Sequence, residues 1–303
     1  MKRPHIREMM RRAAEKRIAV PAFNIMHLPI MRPVVETLRR LDAFGLVGPS
    51  LADVRYFHAK SFGAVAEAYR RAAEPECVGL HLDHVPVIDE NGEAVDWESL
   101  LREGMDLGYE SVMVDGSRLP IEENIAVTRT VVEMAVADDV AVEAELGAVF
   151  GHEKGPLPPY EELFRTRRGF TDVAETRRFV KETGVDWLSV AVGSVHGALV
   201  GSAKDKDKVQ ARLHIEHLDA LARGTGVPLV LHGGTGIQED SLREGIRHGI
   251  VKINIATDIR HAYERALAEG NDVERAQQAV ADRVEVLVTR TFGVAGFRSA
   301  LMD

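Results

Sequence analysis

The chain of 303 residues has one cysteine, Cys77, so no intramolecular disulfide can staple it. Cys77 lies in the apolar run Cys77-Val78-Gly79-Leu80 and is expected to be a core residue. Long hydrophobic runs are also missing. No stretch approaches the roughly 18 apolar residues of a membrane span, so no membrane partner is expected. The N-terminus is basic (Lys2, Arg3, Arg7, Arg11, Arg12) but has no apolar segment behind it, so it does not read as a signal peptide. These absences point to a soluble, cytoplasmic protein. An excess of positive charge is lacking too. Lys and Arg number 38 against 47 Asp and Glu, a formal charge of −9, which argues against nucleic acid as a partner. A phosphorylated ligand would need local positive charge or backbone donors, because the global field repels it. No low-complexity segment occurs, and no G-x-G-x-x-G follows the first apolar run.

What is present is a repeating pattern. With 45% hydrophobic and 28% charged residues, the composition is globular, and the length suits one large α/β barrel or two ordinary domains. Apolar or β-branched runs recur at 18–24, 44–48, 78–82, 111–114, 140–146, 187–192, 229–231 and 250–255. Continuous runs of this kind suggest strands buried on both faces, as in parallel sheets. Amphipathic segments at 30–41, 62–73, 97–107, 121–137, 173–183, 215–222 and 241–248 alternate with them. Ser241-Leu242-Arg243-Glu244 reads as a capping box, and Thr171-Asp172 as the cap of a helix ending near Gly184. Eight strands alternating with helices predict a (β/α)₈ TIM barrel more naturally than an open doubly wound sheet. The expected organisation is one domain over 1–303, with an extra C-terminal helix over 272–290 as a candidate oligomer contact. Two connections, 85–96 and 148–170, are too long for ordinary βα loops; loops of that length usually build or cover a barrel's active site.

Barrel enzymes carry their chemistry at the C-terminal ends of the strands. Here those ends hold His81-Leu82-Asp83-His84, Asp115-Gly116-Ser117, Glu143 and Glu145, Gly193-Ser194-Val195-His196-Gly197, His232-Gly233-Gly234-Thr235-Gly236 and Asn254-Ile255-Ala256-Thr257. Three histidines from different strands, His84, His196 and His232, thus converge on one mouth. Three imidazoles with an open fourth position suit a catalytic zinc. His5, His58, His214 and His248 fall on helices or termini and read as solvated. Asp83 is expected to aim at the mouth, with its neighbour His84 re-aimed by the strand end. The glycine turn after the seventh run suits a phosphate cradle, since glycine lets backbone N–H groups approach an anion.

At these residues the sequence resembles the class II ketose-bisphosphate aldolases, over almost the whole chain. The matching segments run in order from Ala19-Val20-Pro21-Ala22-Phe23-Asn24-Ile25, through His81 to His84, 108–117 and 142–147, to 183–186, 193–197, 229–236 and Lys252-Ile253-Asn254. The resemblance implies that His84, His196 and His232 bind a catalytic zinc, with Asp115 and Glu145 as acids near it. It implies that Asp83 handles the proton of the substrate C4 hydroxyl. Glu153 would exchange a proton with the enediolate carbon. The substrate and its phosphates would meet Asn24, Ser50, Gly197, Gly233, Gly234, Thr235, Asn254, Ile255, Ala256, Thr257 and Arg260. A monovalent cation (Na⁺ or K⁺) and a homodimer or homotetramer are implied as well. The reaction would be reversible aldol cleavage of a ketose 1-phosphate or 1,6-bisphosphate to dihydroxyacetone phosphate and an aldehyde.

The residue types agree with that chemistry. Cleaving a β-hydroxy ketone leaves an enediolate, whose charge a metal can hold while a carboxylate takes the hydroxyl proton. Lys252 is the only obvious strand-end lysine, which makes a Schiff base the weaker route. The sequence departs from the family pattern in several places. Ala256 stands where fructose-type members have Asp, and Ala198-Leu199 replaces a tyrosine. The 85–96 segment reads as an insertion, and 41–57 matches poorly. These changes lie near where the far half of a substrate would bind. Other metal-assisted reactions, hydrolysis or isomerisation, and a non-catalytic sugar-phosphate binder stay open at this point.

Overall fold

The structure is a computed structural model and describes residues 3–72, 74–147, 159–194, 211–234 and 236–302. In chain order the elements are α1 (Ile6–Lys16), β1 (Val20–Asn24), α2 (Met31–Arg40), β2 (Gly45–Gly48), α3 (Leu51–Tyr56), α4 (Phe62–Ala72), β3 (Val78–Pro86), α5 (Trp97–Asp106) and β4 (Ser111–Asp115). Then come α6 (Ile121–Val136), β5 (Ala141–Leu146), α7 (Tyr160–Thr166), α8 (Val173–Thr183), β6 (Trp187–Val190), α9 (Ile215–Thr225) and β7 (Leu229–Leu231). The last are α10 (Glu239–Arg247), β8 (Ile250–Ile255), α11 (Thr257–Gly270), α12 (Val273–Val286) and α13 (Arg298–Met302). The eight strands pair in parallel, each with the next, and β8 pairs with β1 to close the barrel. This is the (β/α)₈ barrel that the alternation predicts. No described helix is long and apolar enough to cross a membrane.

Almost every strand position is buried, on the inner face and on the face under the helices. That double burial is why the runs read as continuous rather than alternating. Gly48 shows how tightly the wall is drawn. A Cβ there would fall 1.5 Å from the carbonyl oxygen of His81, so no other residue fits without moving β3. Cys77 is buried, as expected of a core cysteine.

The ends of the barrel differ. α1 lies against the N-terminal end, where Arg7 pairs with Asp186 at 2.8 Å and Arg3 pairs with Glu110, residues that precede β6 and β4. Its buried Ile6, Met9, Met10 and Ala13 form one helical face. The C-terminal end is left as the mouth. There β3 runs on to Pro86, four residues past its expected end, and its register on β4 shifts between Leu82 and Val85. The 85–96 segment therefore begins as strand. It closes as a tight turn in which Asp89 accepts the backbone N–H groups of Asn91 and Glu93.

Three local expectations change. α10 starts at Glu239, so Ser241 is not its cap; the Ser241 hydroxyl instead accepts the N–H of Leu213 at 2.7 Å. A true capping box stands at Ser50 and Asp53, at the start of α3. His214 and His248 are half-buried, the former as the side-chain cap of α9 and the latter between Asp219 and Glu244. Asp172 does cap α8, which ends at Gly184 in the left-handed conformation. The expected C-terminal helix is α12, which buries Ala276, Val280 and Val284 and packs on α2 and α11.

Candidate active site

Three strands build the site by alternation. Successive side chains on a strand point to opposite faces, so residues two apart share one. β3 contributes His81 and Asp83, β5 Glu143 and Glu145, and β8 Lys252 and Asn254, all buried. The deeper layer is an ion network. Lys252 Nζ donates to Glu143 Oε2 at 2.7 Å and lies 3.6 Å from Asp83 Oδ1. Trp187 Nε1–H donates to the same Glu143 oxygen at 2.6 Å, and Glu143 Oε1 lies 2.9 Å from His232 Nε2. Burial would raise the Glu143 carboxyl, but Lys252 and His232 outweigh it and hold it at about 2. It is therefore ionised, and His232 Nε2–H is the donor.

Above this layer lies Asp83. Asn254 Nδ2 donates to its Oδ1 at 2.7 Å and Asn24 Nδ2 to its Oδ2 at 2.9 Å. Burial acts against ionisation here too, but His84, Lys252 and His81 keep the carboxyl well below the usual range. The strand irregularity after Leu82 lets the next residue, His84, face the mouth as well.

The two described histidines of the expected triad meet. His84 Nε2 and His232 Nδ1 face each other at 2.6 Å. The outer nitrogen of each rests on a carboxylate, His84 Nδ1 on Asp115 at 3.1 Å and His232 Nε2 on Glu143. Such outer contacts fix the tautomer of a metal-binding histidine and turn its lone pair inward. Burial would push His84 down, but Asp83, Asp115 and Glu145 raise it to about 10, while burial and the charge on His84 lower His232 to about 4. The two inward-facing nitrogens are thus placed to share a proton or to ligate a divalent cation.

Asp115 is held well below its usual range, because His84 and Ser117 outweigh its burial. Burial and neighbouring Asp115 push Glu145 up to about 8, and its Oε2 is buried with no hydrogen-bond partner among the described residues. Donor atoms of Asp83, His84 and His232 lie within 4.8 Å of one another, as do those of His84, Asp115 and Glu145. This nitrogen and oxygen donor set fits zinc.

Gly233 and Gly234 follow β7. Gly233 has φ +69°, and a Cβ on Gly234 would come within 2.9 Å of Ile253 and 3.2 Å of the Asn254 carbonyl. The turn therefore lies against the end of β8. There α11 begins at Thr257 behind Ala256, with no side-chain cap on its first N–H groups. A glycine turn beside an uncapped helix start offers backbone donors to an anion.

Ser50 accepts the Asp53 N–H at 3.1 Å, so its lone pairs serve the cap. Arg260 stacks on Phe57, with its carbon 5.1 Å from the ring centroid, and pairs with Glu264 at 2.8 Å. Its Nε finds no partner among the described residues. His196, Gly197, Glu153 and Thr235 lie outside the described residues.

A profile of the family described as Fructose-bisphosphate aldolase class-II matches residues 4–296. The chain belongs to this family. It is 31% identical to the 6-phospho-5-dehydro-2-deoxy-D-gluconate aldolase of Bacillus subtilis over 96% of both chains. It is 34% identical to the protein of the same name from Bacillus licheniformis, over 85% of this chain and 80% of that one. Among solved structures, the YdjI aldolase of Escherichia coli K12 superposes with a TM-score of 0.75 at 26% identity, covering 96% of this chain and 97% of that one. A putative fructose-1,6-biphosphate aldolase from Coccidioides immitis reaches a TM-score of 0.77 at 24% identity, covers 99% of both chains, and supports the fold. Membership makes this chain an aldolase, a carbon–carbon lyase of a family that is in general zinc-dependent. It removes the hydrolase, isomerase and non-catalytic readings that the sequence left open.

In this aldolase the ion network beneath the site is the part that sequence reasoning left without a role. Glu143 was visible beside Glu145, and Lys252 beside Asn254, at the two-residue spacing that puts both pairs on the inner face. Lys252 has no exposure and is tied to Glu143, so it is not free to form a Schiff base. Lys252→Met should lower the unfolding free energy by about 3–5 kcal/mol, because Glu143 would remain buried without its counter-charge. Chemical denaturation measures this; a loss under about 1 kcal/mol would show that Trp187 and His232 suffice for Glu143.

Proposed function

We propose that this class II aldolase uses zinc to cleave a phosphorylated ketose whose far end carries a carboxylate, of the type 6-phospho-5-dehydro-2-deoxy-D-gluconate. The observation that carries the chemistry is the grouping of Asp83, held by two amides, beside the facing nitrogens of His84 and His232. His84 and His232, with His196, would hold the zinc, and Asp115 and Glu145 would support it from the side of His84. Zinc, when bound, supplies a Lewis acid for the charge that develops on the substrate oxygens.

The chain's own residues do the rest. Asp83 accepts the proton of the hydroxyl β to the ketone as the bond between the α and β carbons breaks. The electron pair of that bond passes to the ketone, leaving an enediolate, and the β carbon departs as an aldehyde. Reprotonation at the α carbon completes dihydroxyacetone phosphate, and Glu153 is our candidate for that step. Gly233, Gly234 and the N–H groups at the start of α11 would hold the phosphate, and Thr235 and Gly197 are further candidates for it. A monovalent cation and assembly into a homodimer or homotetramer are carried forward with this reading.

The substrate class rests on the relatives and on Ala256. The compound in the relatives' names has phosphate on C6, a ketone at C5, hydroxyls on C4 and C3, and a carboxylate at C1. Cleavage between C3 and C4 gives dihydroxyacetone phosphate and a three-carbon oxo acid. The phosphate half is that of any ketose 1-phosphate; only the far end differs. This agrees with a chain whose phosphate turn fits the family pattern and whose far-end residues depart from it. Arg260 is our candidate for the far carboxylate. The expected result is that kcat/KM for 6-phospho-5-dehydro-2-deoxy-D-gluconate exceeds that for fructose 1,6-bisphosphate by roughly 10- to 150-fold. That range is what one charge-assisted pair of about 1.5–3 kcal/mol supplies. Tagatose 1,6-bisphosphate and fructose 1-phosphate complete the panel. Fructose 1,6-bisphosphate as the best substrate by tenfold would overturn the far-end assignment.

A further inference from the structure

Asp53 lies in the 41–57 segment, which departs from the family pattern, and it is 1% exposed. Its Oδ2 accepts two N–H groups, the backbone N–H of Ser50 at 2.8 Å and Asn24 Nδ2–H at 3.1 Å. The other Nδ2–H of Asn24 goes to Asp83 Oδ2 at 2.9 Å. An amide nitrogen has two hydrogens, so these two carboxylates use both, and the orientation of the Asn24 amide is fixed. A flipped amide would aim its oxygen at two carboxylates. The chain of contacts therefore runs from the cap of α3, through a side chain at the end of β1, to the carboxylate at the mouth of β3.

We propose that Asp53 is a positioning residue for the aldol step: it locks the Asn24 amide so that Asp83 presents its carboxylate to the substrate hydroxyl. The proposal rests on the role given above to Asp83. Asp53 touches neither substrate nor metal, and it acts on the rate through Asn24. Its second duty, the cap of α3, is a separate one shared with Ser50. Without Asp53, one hydrogen of Asn24 has no partner, the amide turns, and Asp83 Oδ2 loses its amide donor while Oδ1 keeps Asn254. A small loss of aim at a proton-transfer group costs rate more than binding.

The test compares Asp53→Ala, Asp53→Asn, Leu51→Ala and Asp83→Ala in the zinc-loaded enzyme, measuring kcat, KM and Tm with the best substrate of the panel. In Asp53→Asn a single carbonyl oxygen can still accept from both Ser50 and Asn24, so kcat should stay within about threefold. Asp53→Ala should lower kcat by about 10- to 100-fold with KM little changed, the usual cost of losing an outer support. Leu51→Ala removes a buried side chain of the same helix; it should lower Tm at least as much as Asp53→Ala while keeping kcat. In an Asn24→Ala background, Asp53→Ala should add no further loss of kcat. A crystal structure of Asp53→Ala should show the Asn24 amide turned from Asp83. If Asp53→Ala does not fold, Asp53→Ser, one bond short of Asn24, takes its place. The proposal is overturned by wild-type kcat in Asp53→Ala, by equal loss of kcat in Leu51→Ala, by Asp53→Asn falling with Asp53→Ala, or by an additive effect with Asn24→Ala. Undiminished kcat in Asp83→Ala would instead sink the role of Asp83 itself.

Discussion

His232→Ala should give a folded barrel that no longer retains zinc and no longer cleaves a phosphorylated ketose. The barrel should survive because Glu143, which loses its contact with His232, keeps Lys252 at 2.7 Å and Trp187 at 2.6 Å. The stability cost is then that of one unpaired hydrogen-bond position and a small cavity, about 1–3 kcal/mol. The metal has no such reserve. His232 supplies one of the two facing nitrogens, and the other, on His84, cannot turn toward a different ligand without leaving Asp115. In the proposed reaction, loss of the metal would leave the charge of the enediolate without its Lewis acid, beside carboxylates that oppose it. Zinc per chain by mass spectrometry of the native protein, thermal unfolding, and aldol cleavage are measured together. A variant that keeps stoichiometric zinc and wild-type turnover would remove His232 from the metal site. One that fails to fold would show that the network beneath needs the imidazole.

The barrel was legible because its strands are buried on both faces, so each reads as an unbroken apolar run between helical segments. The mouth was legible because polar residues cluster at the ends of those runs. What the sequence could not decide was aim. In His81-Leu82-Asp83-His84, simple alternation sends Asp83 and His84 to opposite faces; the irregularity between Leu82 and Val85 lets both serve the mouth. Pairing with β4 fixes that irregularity, and it leaves no mark in the sequence of β3 itself. Capping shows the same limit. Ser241-Leu242-Arg243-Glu244 and Ser50-Leu51-Ala52-Asp53 both carry the capping spacing. Only the second caps a helix, because Leu213 comes close enough to use the hydroxyl of Ser241. α1 was hidden for another reason. Its apolar face of Ile6, Met9, Met10 and Ala13 is interleaved with Arg7, Arg11, Arg12 and Lys16, so no apolar run marks the helix.

Asp83→Ala should lower kcat by about 10²–10⁴ and leave KM nearly unchanged. The magnitude is that of a lost acid–base group placed at the reacting proton. The split between kcat and KM follows from the layout of the mouth. The phosphate turn at Gly233 and Gly234 and the start of α11 lie at the ends of β7 and β8, and none of their backbone donors depends on the Asp83 side chain. Binding of the ground state should therefore persist while the proton has no acceptor. Asn at this position is a poor substitute. Asp83 takes one amide hydrogen on each oxygen, from Asn254 and from Asn24, and an Asn there would set its own NH₂ against one of those donors. Asp83→Asn should thus be no more active than Asp83→Ala, and less stable. Folding of the alanine variant is expected to hold, since Lys252 keeps its closer partner in Glu143. Steady-state kinetics with zinc content checked for each variant decides the matter. A loss confined to KM would make Asp83 a binding residue. Full turnover in the alanine variant would move the acceptor of the hydroxyl proton elsewhere in the mouth, with Glu145, whose Oε2 has no hydrogen-bond partner among the described residues, as the first candidate.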